Sequence, residues 1–171
     1  MAWPPAVPPN TRANNTPELD NHPGDHNQIS NALADLVKQL TPIAWVEGTA
    51  SVAITATTLA TSQQVLTTGA ITYDGTPIII EYSAPLAQPP AGALQVMLYD
   101  GATEMGFFTY VSSTVTGFGF PVNLRRRLTP AAGSHTFLVR AYVSAGSGAL
   151  VAGTGLSGAH SPMILSVRRA S

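Results

Sequence analysis

The sequence predicts a mainly β protein with an extended N-terminal arm, one short α-helix able to form a trimeric coiled coil, and a C-terminal β-sandwich or jelly roll. Three observations lead there. After Pro42, short runs rich in Val, Ile, Thr and aromatic residues recur about every ten residues, punctuated by turn signals. Only the stretch 22–40 carries apolar residues at helical spacing. Residues 1–21 hold five prolines, which excludes a helix or a central strand. The expected divisions are therefore an arm (1–21), an oligomerisation helix (22–42) and a β-head (43–171).

The arm contains Pro4, Pro5, Pro8, Pro9 and Pro17 and should be extended in the manner of polyproline II. Trp3 is its one large apolar group. A buried aromatic contributes about 1.5–3 kcal/mol, enough to seat such an arm in a groove on a neighbour. Trp3, Pro4, Pro5, Pro8 and Pro9 are the candidate anchoring residues; a disordered tail is the competing expectation.

In the helix, Ile29, Leu33, Leu36 and Leu40 follow at alternating steps of four and three, the rhythm of a coiled-coil seam. The register carried backwards adds His26, His22 and Leu19. Asp25 is a candidate cap after Pro23–Gly24, and Thr41–Pro42 ends the element. A helix of about four turns is marginal in water, so its stripe needs a cover. No second helix is visible downstream, which favours copies of itself, three around one axis, with Ile29, Leu33, Leu36, Leu40 and His26 at the contact. The alternative is a helix lying on its own β-domain.

The strand candidates of the head are 43–58, 65–73, 77–83, 94–99, 105–111, 115–128, 135–143, 149–153 and 163–168. Asp74–Gly75 and Asp100–Gly101 read as tight hairpin turns. Thr, Ser and Ala stand where Lys and Glu would be usual on outer faces. Such faces lack charged gatekeepers against edge pairing, and a symmetric oligomer would bury them. No internal repeat is evident.

Charged residues make up 10% of the chain against about 25% in an ordinary soluble domain. The formal net charge of -1 provides no field for nucleic acid or an anionic membrane. With no cysteine there is no disulfide, thiolate nucleophile or Cys-based zinc site. MAWPPAVPPN has neither a basic nor an apolar signal region, and no apolar run is long enough to span a bilayer. This balance suits a particle assembled in a host cytoplasm and released later.

Chemistry is sparsely signalled. His22 and His26 stand four apart, a spacing that can grip a metal, but no HExxH glutamate accompanies them. Gly155–Leu156–Ser157–Gly158 lacks the glycine spacing and strand–helix setting of a nucleophile elbow. His135 and His160 have no visible serine or carboxylate partner. Glu47, Asp74, Glu81, Asp100 and Glu104 are scattered, with the two aspartates accounted for by turns. A glycosidase pair formed in space would leave no trace in sequence. The expectation is a non-enzyme with no cofactor and no catalytic or metal site. Arg125–Arg126–Arg127 is the densest charge, but strand alternation divides it between faces. With Arg140 these arginines are candidate contacts for an acidic partner or carboxylated glycan; a solvated strand end is the plainer reading. Tyr73, Tyr82, Tyr99, Phe107, Phe108 and Tyr110 could supply a sugar-stacking platform, with about half of them turned into the core by alternation.

Two stretches carry a resemblance. Asn21-His22-Pro23-Gly24-Asp25-His26-Asn27, leading into Ala32-Leu33, resembles the short N-terminal helix of small tailed-phage virion proteins, especially minor tail and fibre proteins of phages of actinobacteria. Residues 128–137 (LTPAAGSHTF) followed by Val139-Arg140-Ala141 resemble a hairpin of trimeric jelly-roll fibre heads with a TNF- or C1q-like shape. The resemblance implies a homotrimeric structural protein of the virion, attached by its N-terminus to other virion proteins, with an outward β-head. A host surface glycan is a further candidate partner, and nucleic acid and membrane insertion are not expected. Tail and capsid locations both fit, since head fibres and capsid decoration proteins share this plan. A glycan-binding or glycan-cleaving module is the third reading.

Overall fold

The computed structural model describes residues 27–38, 41–90, 92–113 and 118–170. The chain divides into two units, residues 1–40 and 41–171. In the first, residues 27–38 form a helix, α1. Its apolar side chains face solvent: Ile29 is 66% exposed, Leu33 58%, Leu36 49% and Val37 54%. The expected contacts Leu40 and His26, the possible ligand His22, and the arm residues Trp3, Pro4, Pro5, Pro8 and Pro9 lie outside the described residues.

Among its described residues the second unit is built from strands, with a short 3-10 turn at Leu59–Thr61 capped by Thr58. One sheet contains β1 (Ala44–Gly48), β2 (Val52–Ile54), β5 (Ile78–Gln88), β8 (Phe120–Leu128), β11 (Gly148–Val151) and β12 (Met163–Arg169). The other runs in the order β3 (Gln63–Thr67), β10 (Phe137–Val143), β6 (Gly92–Asp100), β7 (Thr103–Ser113). A two-stranded ribbon pairs β4 (Ile71–Tyr73) with β9 (Gly133–His135).

The registers reduce the first sheet to four positions. β8 runs along one edge of β5 from Ile78 to Ala87. On the opposite edge β12 pairs with Ile78–Ser83 and β11 with Leu86–Gln88, so β12 and β11 lie end to end. β1 pairs with β12 and β2 with β11, so these also lie end to end. The order across is β8, β5, then β12/β11, then β1/β2. Facing it is the four-stranded sheet β3, β10, β6, β7. Among the described residues β6 and β7 form a hairpin within one sheet, β1 to β2 and β11 to β12 continue along a single sheet position, and the other connections lead from one sheet to another. This is the eight-position jelly roll.

Alternation builds the core. Ile78, Ile80 and Tyr82 from β5 meet Leu94, Val96 and Leu98 from β6, and Phe137, Val139, Ala141 and Val143 from β10, all buried. Each large side chain contributes about 1.5–3 kcal/mol by leaving water. Tyr82 donates its hydroxyl to Met163 Sδ at 3.4 Å, and burial pushes its phenol pKa up. At the corner between sheets, Gln63 Oε1 accepts from the Ala56 N–H (2.9 Å) while its Nε2 donates to the Ala53 carbonyl (3.1 Å).

Several expected strands divide. The run 43–58 breaks at Thr49–Ser51, where Ser51 Oγ donates to the Ala152 carbonyl and accepts from the Ala152 N–H, joining the two interrupted strands at one point. The run 65–73 becomes β3 and β4, which belong to different sheets. β5 continues past Ser83 through Pro85, and its register with β8 shifts between Ala84 and Ala87; a bulge tolerates the missing N–H. Pro121 is accommodated because β8 is an edge strand. Asp100–Gly101 does turn a hairpin, with Asp100 opposite Thr103 and Gly101 at φ 57°. Asp74–Gly75 does not: β4 pairs with β9, and Asp74 instead accepts from the Thr76 N–H and hydroxyl. The segment 128–141 is likewise no hairpin. It leaves β8, passes through β9 and enters β10 in the other sheet.

Candidate functional site

The outer face of the first sheet holds a shallow cavity of about 330 Å³. Strand register assembles it in transverse rows. Trp45 on β1 pairs with Ser166 on β12, Ser166 with Glu81 on β5, and Glu81 with Arg125 on β8. The adjacent row runs Glu47, Ile164, Ser83, Asn123. On the other side lies Arg168, Ile79, Arg127. These residues alternate with the core set Val46, Leu165, Tyr82 and Leu124, so their side chains share the outward face.

Trp45 is 53% exposed, yet its indole N–H donates to Glu47 Oε1 at 2.9 Å. The one polar atom of the ring is satisfied, and the apolar surface stays open. At the centre, Glu81 accepts two hydrogen bonds from Arg168, Nε to Oε2 at 3.2 Å and Nη2 to Oε1 at 3.1 Å. Arg125 Nε lies 3.4 Å from Glu81 Oε1. The hydrogen bonds from Arg168 hold the Glu81 carboxyl below its ordinary range; burial opposes this, and the positive charges of Arg168 and Arg125 reinforce it. Arg168 is correspondingly raised by Glu81. Glu81 therefore stays ionised at neutral pH, which suits a fixed acceptor and not a proton donor. Arg125, whose side chain is 59% exposed, keeps other N–H groups turned to solvent.

The four arginines marked in the sequence do not converge. Arg125 and Arg127 stand on this outer face, whereas Arg126 turns to the opposite side, over Gly106 of β7. A Cβ at Gly106 would come within 3.2 Å of Arg126 Nη1, so glycine leaves room for the guanidinium. Arg140 stands on the second sheet, donates to the Ser62 carbonyl from Nε (3.1 Å) and from Nη2, and covers the Tyr99 ring at 5.2 Å.

Of the aromatic set, Tyr73, Tyr82 and Tyr99 are buried and Phe108 packs on the core. Phe107 and Tyr110 are exposed on β7. The exposed aromatic of the cavity, Trp45, was not among the candidates; its signal was the Trp-x-Glu alternation at the head's first strand. His135 does have a carboxylate partner: its Nδ1 lies 2.5 Å from Asp100 Oδ2. Ser157 sits in an exposed Gly-rich loop between β11 and β12. Among the described residues no group of three or more His, Asp or Glu is arranged to hold a metal, and no helix is long and apolar enough to cross a membrane.

No protein-family model matches the sequence, and comparison with curated proteins finds no match. Among solved structures, the chain is similar to the carbohydrate-binding module of Cellvibrio mixtus lichenase 5A in complex with cellotriose, at 14% identity and a TM-score of 0.35, covering 77% of this chain and 100% of that one. It is also similar to the VP2 subviral particle protein of infectious bursal disease virus, at 13% identity and a TM-score of 0.36, covering 74% of this chain and 37% of that one. A CBM4 structure follows at 15% identity and a TM-score of 0.26, covering 74% of this chain and 92% of that one. By its own strand order the chain is a mainly β protein whose head is a β-sandwich of jelly-roll order.

Proposed function

We propose that this chain is a structural protein of a tailed-phage virion, of the minor tail or fibre type, and not an enzyme. Three copies associate through α1, the N-terminal arm attaches the trimer to other virion proteins, and the jelly-roll head faces outward toward the host. The observation that carries the reading is the exposed stripe Ile29, Leu33, Leu36 and Val37, each about half exposed or more. A short helix with such a stripe gains its stability from a partner helix, and Ile with Leu on the seam suits three strands. Phe107 and Tyr110 on the edge strand β7 add apolar surface that an assembly would cover. The jelly roll is a fold of capsid and lectin domains, which accords with a particle role by architecture alone.

The test is the chain's presence and copy number in purified particles, measured by quantitative mass spectrometry. A handful of copies per particle supports the tail or fibre assignment. Tens to hundreds of copies would replace it with a capsid decoration protein or head fibre, and absence from the particle would remove the virion reading altogether.

A further inference from the structure

We infer that the outer face of the first sheet is a binding site for a short acidic oligosaccharide, with Trp45 seating one sugar ring and Arg125 taking a sugar carboxylate. The inference deepens the proposed function, resting on the head as the host-facing part of the particle, and names the ligand class and the residues.

The geometry comes from the register. Trp45, Ser166, Glu81 and Arg125 form one row across four adjacent strand positions. Three inter-strand steps of about 4.8 Å set the Trp45 and Arg125 backbones roughly 14 Å apart, with the Arg125 side chain leaning back toward Glu81, a spacing that a short oligosaccharide can bridge. The cavity is open and shallow, matching an extended ligand laid across the strands.

The chemistry divides along that row. An exposed indole with its N–H already bound to Glu47 offers an apolar platform to the C–H face of a pyranose. In the middle, the fixed carboxylate of Glu81 presents acceptors to sugar hydroxyls, and Ser83 and Asn123 in the adjacent row present donors and acceptors. At the far end, Arg125 has planar N–H pairs available for bidentate recognition of a carboxylate. The face carries three arginines (Arg125, Arg127, Arg168) against two glutamates (Glu47, Glu81), so its net charge is positive in a chain whose formal net charge is -1. That complementarity selects an acidic ligand over a neutral one.

The experiment follows the Trp45 indole N–H resonance in the full chain, assigned with Trp45→Phe, during titration with trigalacturonate or neutral maltotriose. Trigalacturonate should shift it saturably, with affinity falling as salt rises. Maltotriose should bind about tenfold more weakly or worse, and Arg125→Ala should weaken trigalacturonate by about tenfold. The inference is overturned by no saturable shift with either sugar, by equal affinity for the two, or by affinity unchanged in Arg125→Ala. A shift that tracks protein concentration without sugar would also overturn it, making a second copy the occupant. Copy number in the particle is measured independently, so loss of the sugar site leaves the virion reading standing.

Discussion

His135 and Asp100 lie 2.5 Å apart, Nδ1 to Oδ2, although 35 residues separate them in sequence. The other ring nitrogen, Nε2, lies 2.9 Å from the Ala131 carbonyl. Both ring nitrogens thus face acceptors, an arrangement only the doubly protonated imidazolium satisfies with an ionised Asp100. The ring stacks on Phe137 and meets Tyr73 edge-on, which ties the β4–β9 ribbon to the β6–β7 turn.

The hydrogen bond to Asp100 raises the His135 pKa above its ordinary value; burial works against this, and the Ala131 carbonyl adds to it. A raised folded pKa means the folded state binds the proton more tightly. The stabilisation is therefore full below the unfolded value of about 6.5 and is lost as pH rises through the folded pKa. His135→Ala should cost about 1–3 kcal/mol in mild acid, and the gap to wild type should narrow above neutral pH. Urea unfolding at a series of pH values measures it. A gap that widens with pH would contradict the assigned pairing.

Glu81 behaves with the opposite sign. Its folded pKa is lowered, chiefly by the hydrogen bonds from Arg168, so its contribution is present above the unfolded carboxylate value and disappears as pH falls through the folded pKa. The side chain is 36% exposed, so solvent screening limits the effect. Glu81→Gln should cost less than about 1 kcal/mol at neutral pH and nothing in strong acid, read by thermal melting.

The core and the surface separate cleanly in expectation. Ile80 and Leu98 are fully buried between the sheets, and truncation of either to Ala should cost about 2–5 kcal/mol. Leu156 is 72% exposed, and Leu156→Ala should stay within about 0.5 kcal/mol by chemical denaturation of the same chain.

Gly106 combines a φ of +103° with the Arg126 guanidinium above it. The guanidinium can shift, but the backbone angle cannot be met by an L side chain without strain. Gly106→Ala should destabilise by about 1 kcal/mol or more, and Arg126→Ala should not rescue it. Melting of the two single variants and the double variant checks this.

Local pattern carried the fold class and several faces. The alternation Phe137, Val139, Ala141, Val143 marks β10 as half-buried, and the same period separates Arg126 from Arg125 and Arg127. The candidate site was not legible, because Trp45 and Arg125 are brought into one row by pairings among four strands distant in sequence. No local signal encodes such a register. Strand interruptions were hidden for a related reason: Ser51, in the break between β1 and β2, is held by Ala152, 101 residues away. Residues 128–141 resembled a hairpin because turn residues lie between two β-type runs, which says nothing about which sheet each run joins.

Self-association through α1 remains the claim on which the functional account stands. Sedimentation equilibrium of the full chain at micromolar concentration tests it directly, with Leu33→Asp/Leu36→Asp as the comparison. The account predicts a particle three times the 17.8 kDa chain mass that falls to one chain mass in the variant. A stable single copy of the unmodified chain, or a trimer indifferent to both aspartates, would contradict it.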